Sequence, residues 1–270
     1  MITNESPIAA KVERLKALLA GHAPLVIAYS GGVDSAYLLA AAHAALGDRA
    51  LGVIADSASL PRQALEEALE VAGQIGARIE VVATEELQDE RYASNPVNRC
   101  YFCKAELFAK LDTLARDRGY AAIAYGENAD DMRQARPGRV AAEEFQVLAP
   151  LRDAGLTKAD IRELSREMGL RTADAPAQPC LSSRIPHGTP VTVEALAMIE
   201  RGEALVRSLG FKVFRVRHLA LEHETRARVL IAPEEMARIG PVNDVLISGL
   251  RAVGYDGVEI DPAGYRSPGA

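Results

Sequence analysis

Leu25-Val26-Ile27-Ala28-Tyr29-Ser30-Gly31-Gly32-Val33-Asp34-Ser35 decides how this chain folds. Its first five residues form an unbroken apolar run of the length expected for a strand buried on both faces. The Ala- and Leu-rich stretch from Asp34 to Leu46 has the length and composition of a helix. Ser30–Ser35 joins the two. Adjacent glycines permit a tight turn and close approach of backbone to a ligand, and the helix aims its first N–H groups and positive dipole end at the loop. The hydroxyls of Ser30 and Ser35 are candidate donors to phosphate oxygens, and Asp34 is a candidate to help hold Mg²⁺. The loop is not a Walker loop, because no Gly-Lys-Ser/Thr follows, and it lacks the dinucleotide pattern Gly-x-Gly-x-x-Gly. A plain strand-to-helix turn with one glycine at positive φ would explain the glycines, but not all six residues with both flanks.

Outward from this loop the first two-thirds of the chain alternates strands and helices. Further strands are expected at Ala50–Ala55, Arg78–Val82 and Ala121–Tyr125, with a fifth at Val147–Pro150. Helices are expected over Pro61–Gly73, over Lys104–Arg118 and from the capping Thr157 to Met168. This order means an α/β fold, a parallel sheet with helices on both faces, whose ligands bind beyond the C-terminal ends of the strands. A Pro- and Ala-rich segment, Ala173–Pro190, then reads as a connection, and the pattern changes. A helix over Val193–Leu209, alternating strands at Phe211–Arg217 and Arg226–Ile231, and a helix from Pro233 suggest a smaller C-terminal α+β domain. The expected division is residues 1–180 and 181–270.

The chain has 270 residues, 49% of them hydrophobic and 25% charged, enough to bury a full core. Its net charge of −6 disfavours nucleic acid as a partner. The first residues form no signal peptide; Ile8, Val12, Leu15, Leu18 and Leu19 recur at helical spacing behind Ser6-Pro7. No stretch has the uniform apolarity of a membrane span. A soluble, cytoplasmic protein is expected, without membrane partners.

Three cysteines do not make a disulfide framework. Cys100 and Cys103 form Cys-x-x-Cys at the start of an expected helix, where thiolates are good ligands and nucleophiles, and Cys180 lies in the connection. They could be small buried hydrophobes, catalytic groups or metal ligands. Zinc would need a fourth ligand, for which His187 is the nearest candidate, whereas a 4Fe-4S cluster on three thiolates keeps one iron open. In the second domain, Arg215 and Arg217 stand two apart on a strand and share a face, which suits a phosphate clamp oriented by Glu203 or Glu200. The alternative is a solvated strand face balanced by Glu222 and Glu224.

Ser-Gly-Gly-x-Asp-Ser after a strand resembles the signature of the PP-loop ATP pyrophosphatases, of the adenine nucleotide alpha hydrolase-like fold. The resemblance implies that ATP is cut between its α and β phosphates and that a substrate oxygen is adenylated. Gly126-Glu127-Asn128-Ala129-Asp130-Asp131 is similar to the family's second ATP-facing segment, with Glu127 where a small hydroxyl residue is usual, and Asp56-Ser57 stand where such folds hold adenosine. Asn95-Pro96, Arg99-Cys100-Tyr101-Phe102-Cys103-Lys104, Cys180-Leu181-Ser182-Ser183-Arg184-Ile185-Pro186-His187-Gly188-Thr189, Phe214–His218 and Gly264-Tyr265-Arg266-Ser267 together resemble the LarE family of ATP-dependent sulfur transferases.

Membership would imply work on the nickel-pincer nucleotide, the cofactor of lactate racemase. Each carboxylate of pyridinium-3,5-biscarboxylic acid mononucleotide would be adenylated and converted to a thiocarboxylate. The resemblance makes Asp34 and Cys180 catalytic and assigns ATP to Ser30, Gly31, Gly32, Val33, Asp34, Ser35, Asp56, Ser57 and Gly126. It gives the substrate phosphate to Arg215 and Arg217 with Glu203, and leaves Arg184 as a weaker candidate for a phosphate. Cys100, Cys103 and Cys180 would hold a 4Fe-4S cluster carrying a rechargeable sulfide. In the alternative version Cys180 gives up its own sulfur and becomes dehydroalanine. The family also implies sulfide or another sulfur donor as a partner, and a homo-oligomer. A transfer-RNA thiolase of the same superfamily competes with this reading, as do an ammonia-using synthetase and a nucleotide- or cluster-binding sensor. The charge of −6 weighs against the first of these, and the three cysteines against the second.

Overall fold

The computed structural model describes residues 7–133, 137–176 and 178–265; Ser6, Arg266 and Ser267 lie outside them. The chain forms two compact units. One runs up to Ser57 and continues through Arg62–Glu86 and Asn98–Ala175; the other comprises Ala58–Pro61, Leu87–Val97 and the chain from Pro176 onward. No helix among the described residues is long and apolar enough to cross a membrane.

The first unit is the α/β layer structure. Helix α1 (Pro7–Gly21) opens at its proline, as a first helical position allows. Strands β1 (Leu25–Ala28), β2 (Ala50–Asp56), β3 (Arg78–Ala83) and β4 (Ala122–Tyr125) form one parallel sheet in the order β3-β2-β1-β4. Helices α2 (Val33–Leu46) and α3 (Arg62–Ile75) connect the first three strands. The long α5 (Arg99–Arg118) follows β3 in the chain and leads to β4, while the single-turn α4 (Glu90–Ala93) between β3 and α5 belongs to the second unit. Side chains alternate along β1, so fully buried Val26 joins Phe108 and Leu111 of α5 in one core, with Ile123, Tyr125 and the alanines 141 and 142 of α6 (Pro137–Glu144). Leu25 and Ile27 are equally buried and point to the opposite face. Helix α2 packs there among α1, α3 and α8 (Lys158–Glu167), which is why it is apolar nearly all round.

The fifth strand expected at Val147–Pro150 is reduced to one parallel bridge, Ala124↔Leu148. Leu148 N–H donates to Ile123 C=O (2.8 Å) and Tyr125 N–H to Leu148 C=O (2.9 Å). Pro150 has no N–H to continue the ladder and begins α7 (Pro150–Asp153) instead. Because β2 and β4 flank β1, the order of strands reverses at β1. A crevice between the ends of β1 and β4 is therefore where a ligand is expected in an open parallel sheet.

In the second unit, α9 (Val193–Ser208) and α10 (Asn243–Val253) cover one face of a three-stranded sheet. Strand β5 (Phe214–Ala220) pairs antiparallel with β6 (Thr225–Ile231), and β7 (Gly257–Ile260) pairs parallel with β6. The core holds Phe214 and Val216 of β5 and Ala227, Val229 and Ile231 of β6. Two expectations shift here. The helix from Pro233 begins as two short 3₁₀ turns, Pro233–Arg238 and Gly240–Val242, because Gly240-Pro241 interrupts it. Strand β7, only 4 residues long, was not visible as a period in the sequence.

Candidate active site

The loop after β1 is built from backbone. Gly31 has φ +75°, and a Cβ there would stand 2.6 Å from that of Ala68, so no other residue fits. Gly32 caps α2 with no side-chain bond to the first turn, and the first intrahelical bond is Ala36 N–H to Gly32 C=O (2.9 Å). The helix therefore presents uncapped N–H groups, the arrangement that binds phosphate. Ser35 is buried and braces the turn from inside: its hydroxyl donates to Gly32 C=O (3.1 Å) and accepts from Ser30 N–H (3.2 Å). Gly126, at the end of β4, lies against this turn, and a Cβ would come 2.8 Å from Ser35 N and 3.0 Å from the Asp34 carbonyl carbon. The two loops of the crevice thus meet backbone to backbone.

Asp34 sits in the first turn of α2. Its Oδ2 accepts from Lys158 Nζ (2.8 Å) and Asn128 Nδ2 (3.4 Å), while its Oδ1 is buried with no hydrogen-bond partner. An orphaned carboxylate oxygen beside a turn of this geometry fits a hard cation such as Mg²⁺, which takes one or two carboxylates together with phosphate oxygens. Lys158 is in turn tied by its N–H to Asp130 Oδ2 (2.9 Å). Asn128 Oδ1 accepts from Asp130 N–H (2.9 Å) and Asp131 N–H (3.3 Å) and so shapes the segment after Gly126. Glu127 is 4% exposed and bonded to Arg139 (2.8 Å) and Arg152 (2.8 Å). Burial alone would raise its pKa, but the hydrogen bond from Arg139 and the charges of Arg139 and Arg152 outweigh it and hold the carboxyl below its usual range. The unusual residue at this position is thus an internal anchor for α6 and α7.

Asp56, at the end of β2, is closed by Arg62 of α3 (2.6 Å), which also donates to Ser57 C=O (2.9 Å). Cys100 (exposed) and Cys103 (half-buried) stand three residues apart at the start of α5. Asn98 caps that helix without a side-chain bond, so its dipole end favours anions. Cys180, also exposed, belongs to the second unit, and none of the three is disulfide-bonded. Three thiols are the right donors for an iron–sulfur cluster. Among the described residues, however, no group of three or more His, Cys, Asp or Glu side chains is placed to hold a metal ion.

Cys180 has a pinned backbone and an open side chain. Its C=O accepts from Arg184 Nη1 (3.0 Å) and the Ser183 hydroxyl (2.7 Å), and the next N–H, that of Leu181, donates to Ser59 C=O (2.8 Å). Beneath it Ser59, Tyr92 and Ser182 close a buried triangle of hydroxyls with edges of 2.8, 2.8 and 2.6 Å. Asn95, at φ +57°, donates to the carbonyls of Pro186 and Thr189 (2.8 Å each). Arg184 is buried and pairs with Glu203 of α9 through Nε (2.8 Å) and Nη2 (3.0 Å), and Glu203 also accepts from Val216 N–H (3.2 Å). Glu203 thus joins the Cys180 segment to the strand carrying the two arginines. Its bonds run to Arg184, a partner the sequence had not suggested, rather than to Arg215 or Arg217.

Arg215 and Arg217 share the sheet face opposite the helices. Neither carboxylate offered as their balance meets them: Glu224 pairs with Arg226, and Glu222 lies 3.9 Å from His223, while Glu259 pairs with Arg226 and Arg228. Arg217 is exposed and has no ion-pair partner among the described residues. Arg215 is half-buried; it donates to Phe214 C=O (2.6 Å) and lies 4.5 Å from the centre of the Tyr265 ring.

Sequence reasoning missed Lys158 and the hydroxyl triangle, and met Tyr265 only within the family-like tail, without a role. Lysine at the first position of a helix opposes the dipole, and that was the one available signal. No family model matches the chain. An uncharacterised protein of Synechocystis is 40% identical over 261 residues, 95% of each chain. A GMP synthase (glutamine-hydrolyzing) of Thermomicrobium roseum is 31% identical over 209 residues, 68% of this chain and 39% of that enzyme, a likeness that fits the PP-loop superfamily. The pyridinium-3,5-bisthiocarboxylic acid mononucleotide synthase of Lactiplantibacillus plantarum is 32% identical over 264 residues, 96% of this chain and 93% of that enzyme. A match of that identity, running almost end to end through both the backbone-built turn after β1 and the arginine-bearing sheet, means that the chain belongs to the LarE family.

Proposed function

We propose that the protein is an ATP-dependent sulfur transferase that adenylates the carboxylates of pyridinium-3,5-biscarboxylic acid mononucleotide and converts them to thiocarboxylates, releasing AMP and pyrophosphate. The near end-to-end likeness to the synthase from Lactiplantibacillus plantarum carries this reading. A carboxylate is a poor electrophile until its oxygen leaves as AMP, so an ATP site and a sulfur nucleophile are both required. The uncapped start of α2 and the glycines 31, 32 and 126 are suited to the triphosphate, and the orphaned Asp34 Oδ1 to its Mg²⁺. Asp56 and Ser57 then serve adenosine, and Arg215 and Arg217 the substrate phosphate.

For the sulfur, the donor chemistry of Cys100, Cys103 and Cys180 supports a 4Fe-4S cluster, which when bound supplies a sulfide that can be replaced after each turnover. The exposed Cys180 on a pinned backbone supports the second version, in which its own sulfur is transferred and dehydroalanine remains. Iron and acid-labile sulfide measured on protein purified without oxygen separate them. About four irons per chain support the cluster; none after reconstitution, with loss of the mass of H₂S from Cys180 after one turnover, supports the sacrificial thiol. The shared reading is tested by pyrophosphate release. It must depend on the biscarboxylated mononucleotide and vanish in Asp34→Asn with any cluster intact, and mononucleotide-independent ATP turnover or thiolation of transfer RNA would overturn it.

A further inference from the structure

Beyond β7 the chain turns back over the sheet. Asp261 N–H donates to Val229 C=O (2.9 Å) and its Oδ1 accepts from Ala263 N–H (2.9 Å). Gly264 then takes φ +71°, where a Cβ would press within 2.8 Å of Ile231 C=O, and Tyr265 N–H donates to that same carbonyl (2.9 Å). The turn is therefore tight enough to require glycine, and it delivers one aromatic ring to one cation: Arg215, whose guanidinium carbon lies 4.5 Å from the ring centre.

Arg215 needs such support. Burial and the nearby Arg184 charge both work against its cationic form, while the charge of Glu203 works for it. A ring under a guanidinium engages the face of the plane and leaves the N–H donors at its edge, the ones that bind phosphate in pairs. We propose that Tyr265 is a positioning residue for the substrate phosphate, its ring holding the Arg215 guanidinium in the plane from which it clamps the phosphomonoester of the mononucleotide. This rests on the reading of Arg215 and Arg217 as the phosphate clamp.

The test is mononucleotide-dependent pyrophosphate release by the full chain, read as KM for the mononucleotide and as maximal rate. Tyr265→Leu keeps apolar bulk without a π face and raises that KM about 10-fold with the maximal rate within about 2-fold; Tyr265→Phe keeps the face and stays within about 2-fold in both. Arg215→Gln raises the same KM, and adding Tyr265→Leu to it changes nothing further. A KM unmoved by Tyr265→Leu while Arg215→Gln raises it overturns this inference alone, as does Tyr265→Phe as weak as Tyr265→Leu. A KM unmoved by Arg215→Gln overturns the phosphate-clamp reading, and this inference with it. A fall in maximal rate without a change in KM assigns Tyr265 to folding and overturns the proposal.

Discussion

The turn after β1 and the outer face of the β5–β6 sheet are both suited to anions, but by opposite means. The turn uses backbone: two glycines, a helix start without a side-chain cap, and Gly126 pressed against Ser35 N. The sheet face uses side chains, and these depend on others: Arg215 lies against the Tyr265 ring, and beside it the buried Arg184 is held by Glu203. A backbone site tolerates no added atom, whereas a side-chain site tolerates no lost partner.

That contrast breaks or survives on four experiments. Glu203→Leu leaves Arg184 charged and buried, with only 5% of its side chain exposed beforehand. It should destabilise the protein by about 3–5 kcal/mol in urea unfolding, and the double change Arg184→Met/Glu203→Leu should recover most of that. A double variant no better than the single one would mean that packing, not the pair, matters. Gly126→Ala adds one methyl at the backbone site and should cut AMP formation by about 100-fold through displacement of the phosphate turn; normal activity would refute the close approach. Lys158→Met removes a charge-assisted bond to Asp34 and should cost about 10-fold in the same assay, with no change in KM for the mononucleotide if the two sites act separately.

The smallest effect concerns His218, buried on the inner face of β5, where desolvation lowers its pKa below 6.5. Between the folded and unfolded pKa values the unfolded chain binds more protons, so stability falls as pH drops through 6.5 toward the folded value. The Tm difference between the parent and His218→Phe should shrink on acidification and level off above that range. A difference independent of pH would mean that His218 does not titrate differently on folding.

The same contrast explains what the sequence disclosed. Gly31-Gly32 and the strand before them were legible because backbone demands are local: a positive φ or a close approach selects glycine wherever it occurs. Leu148 was read as a strand on its apolar flanks, but Pro150 allowed a single bridge. On α9, Glu203 interrupts the buried stripe of Leu196, Ile199 and Val206, so a charged partner in the core was foreseeable. That the partner is Arg184 was not, because the two meet only when α9 folds against the Cys180 segment. The hydroxyl triangle was invisible for the same reason: Ser59 and Ser182 are 123 positions apart, and no local period marks a serine that will be buried. Tyr265 was noticed only as part of a tail that resembled a family, since its role depends on the turn at Gly264.

The triangle also bears on how the polypeptide is made. Ser59 and Tyr92 leave the ribosome 123 and 90 residues ahead of Ser182. At about 5–20 residues per second they wait roughly 5–25 s for the hydroxyl that completes their bonding. During that interval Tyr92 and Asn95, among the most buried residues of the finished protein, have no core to enter. The nascent chain therefore carries its second unit as two orphaned strips, and slowing translation after Val97 should prolong its dependence on chaperones more than slowing it before Ser57.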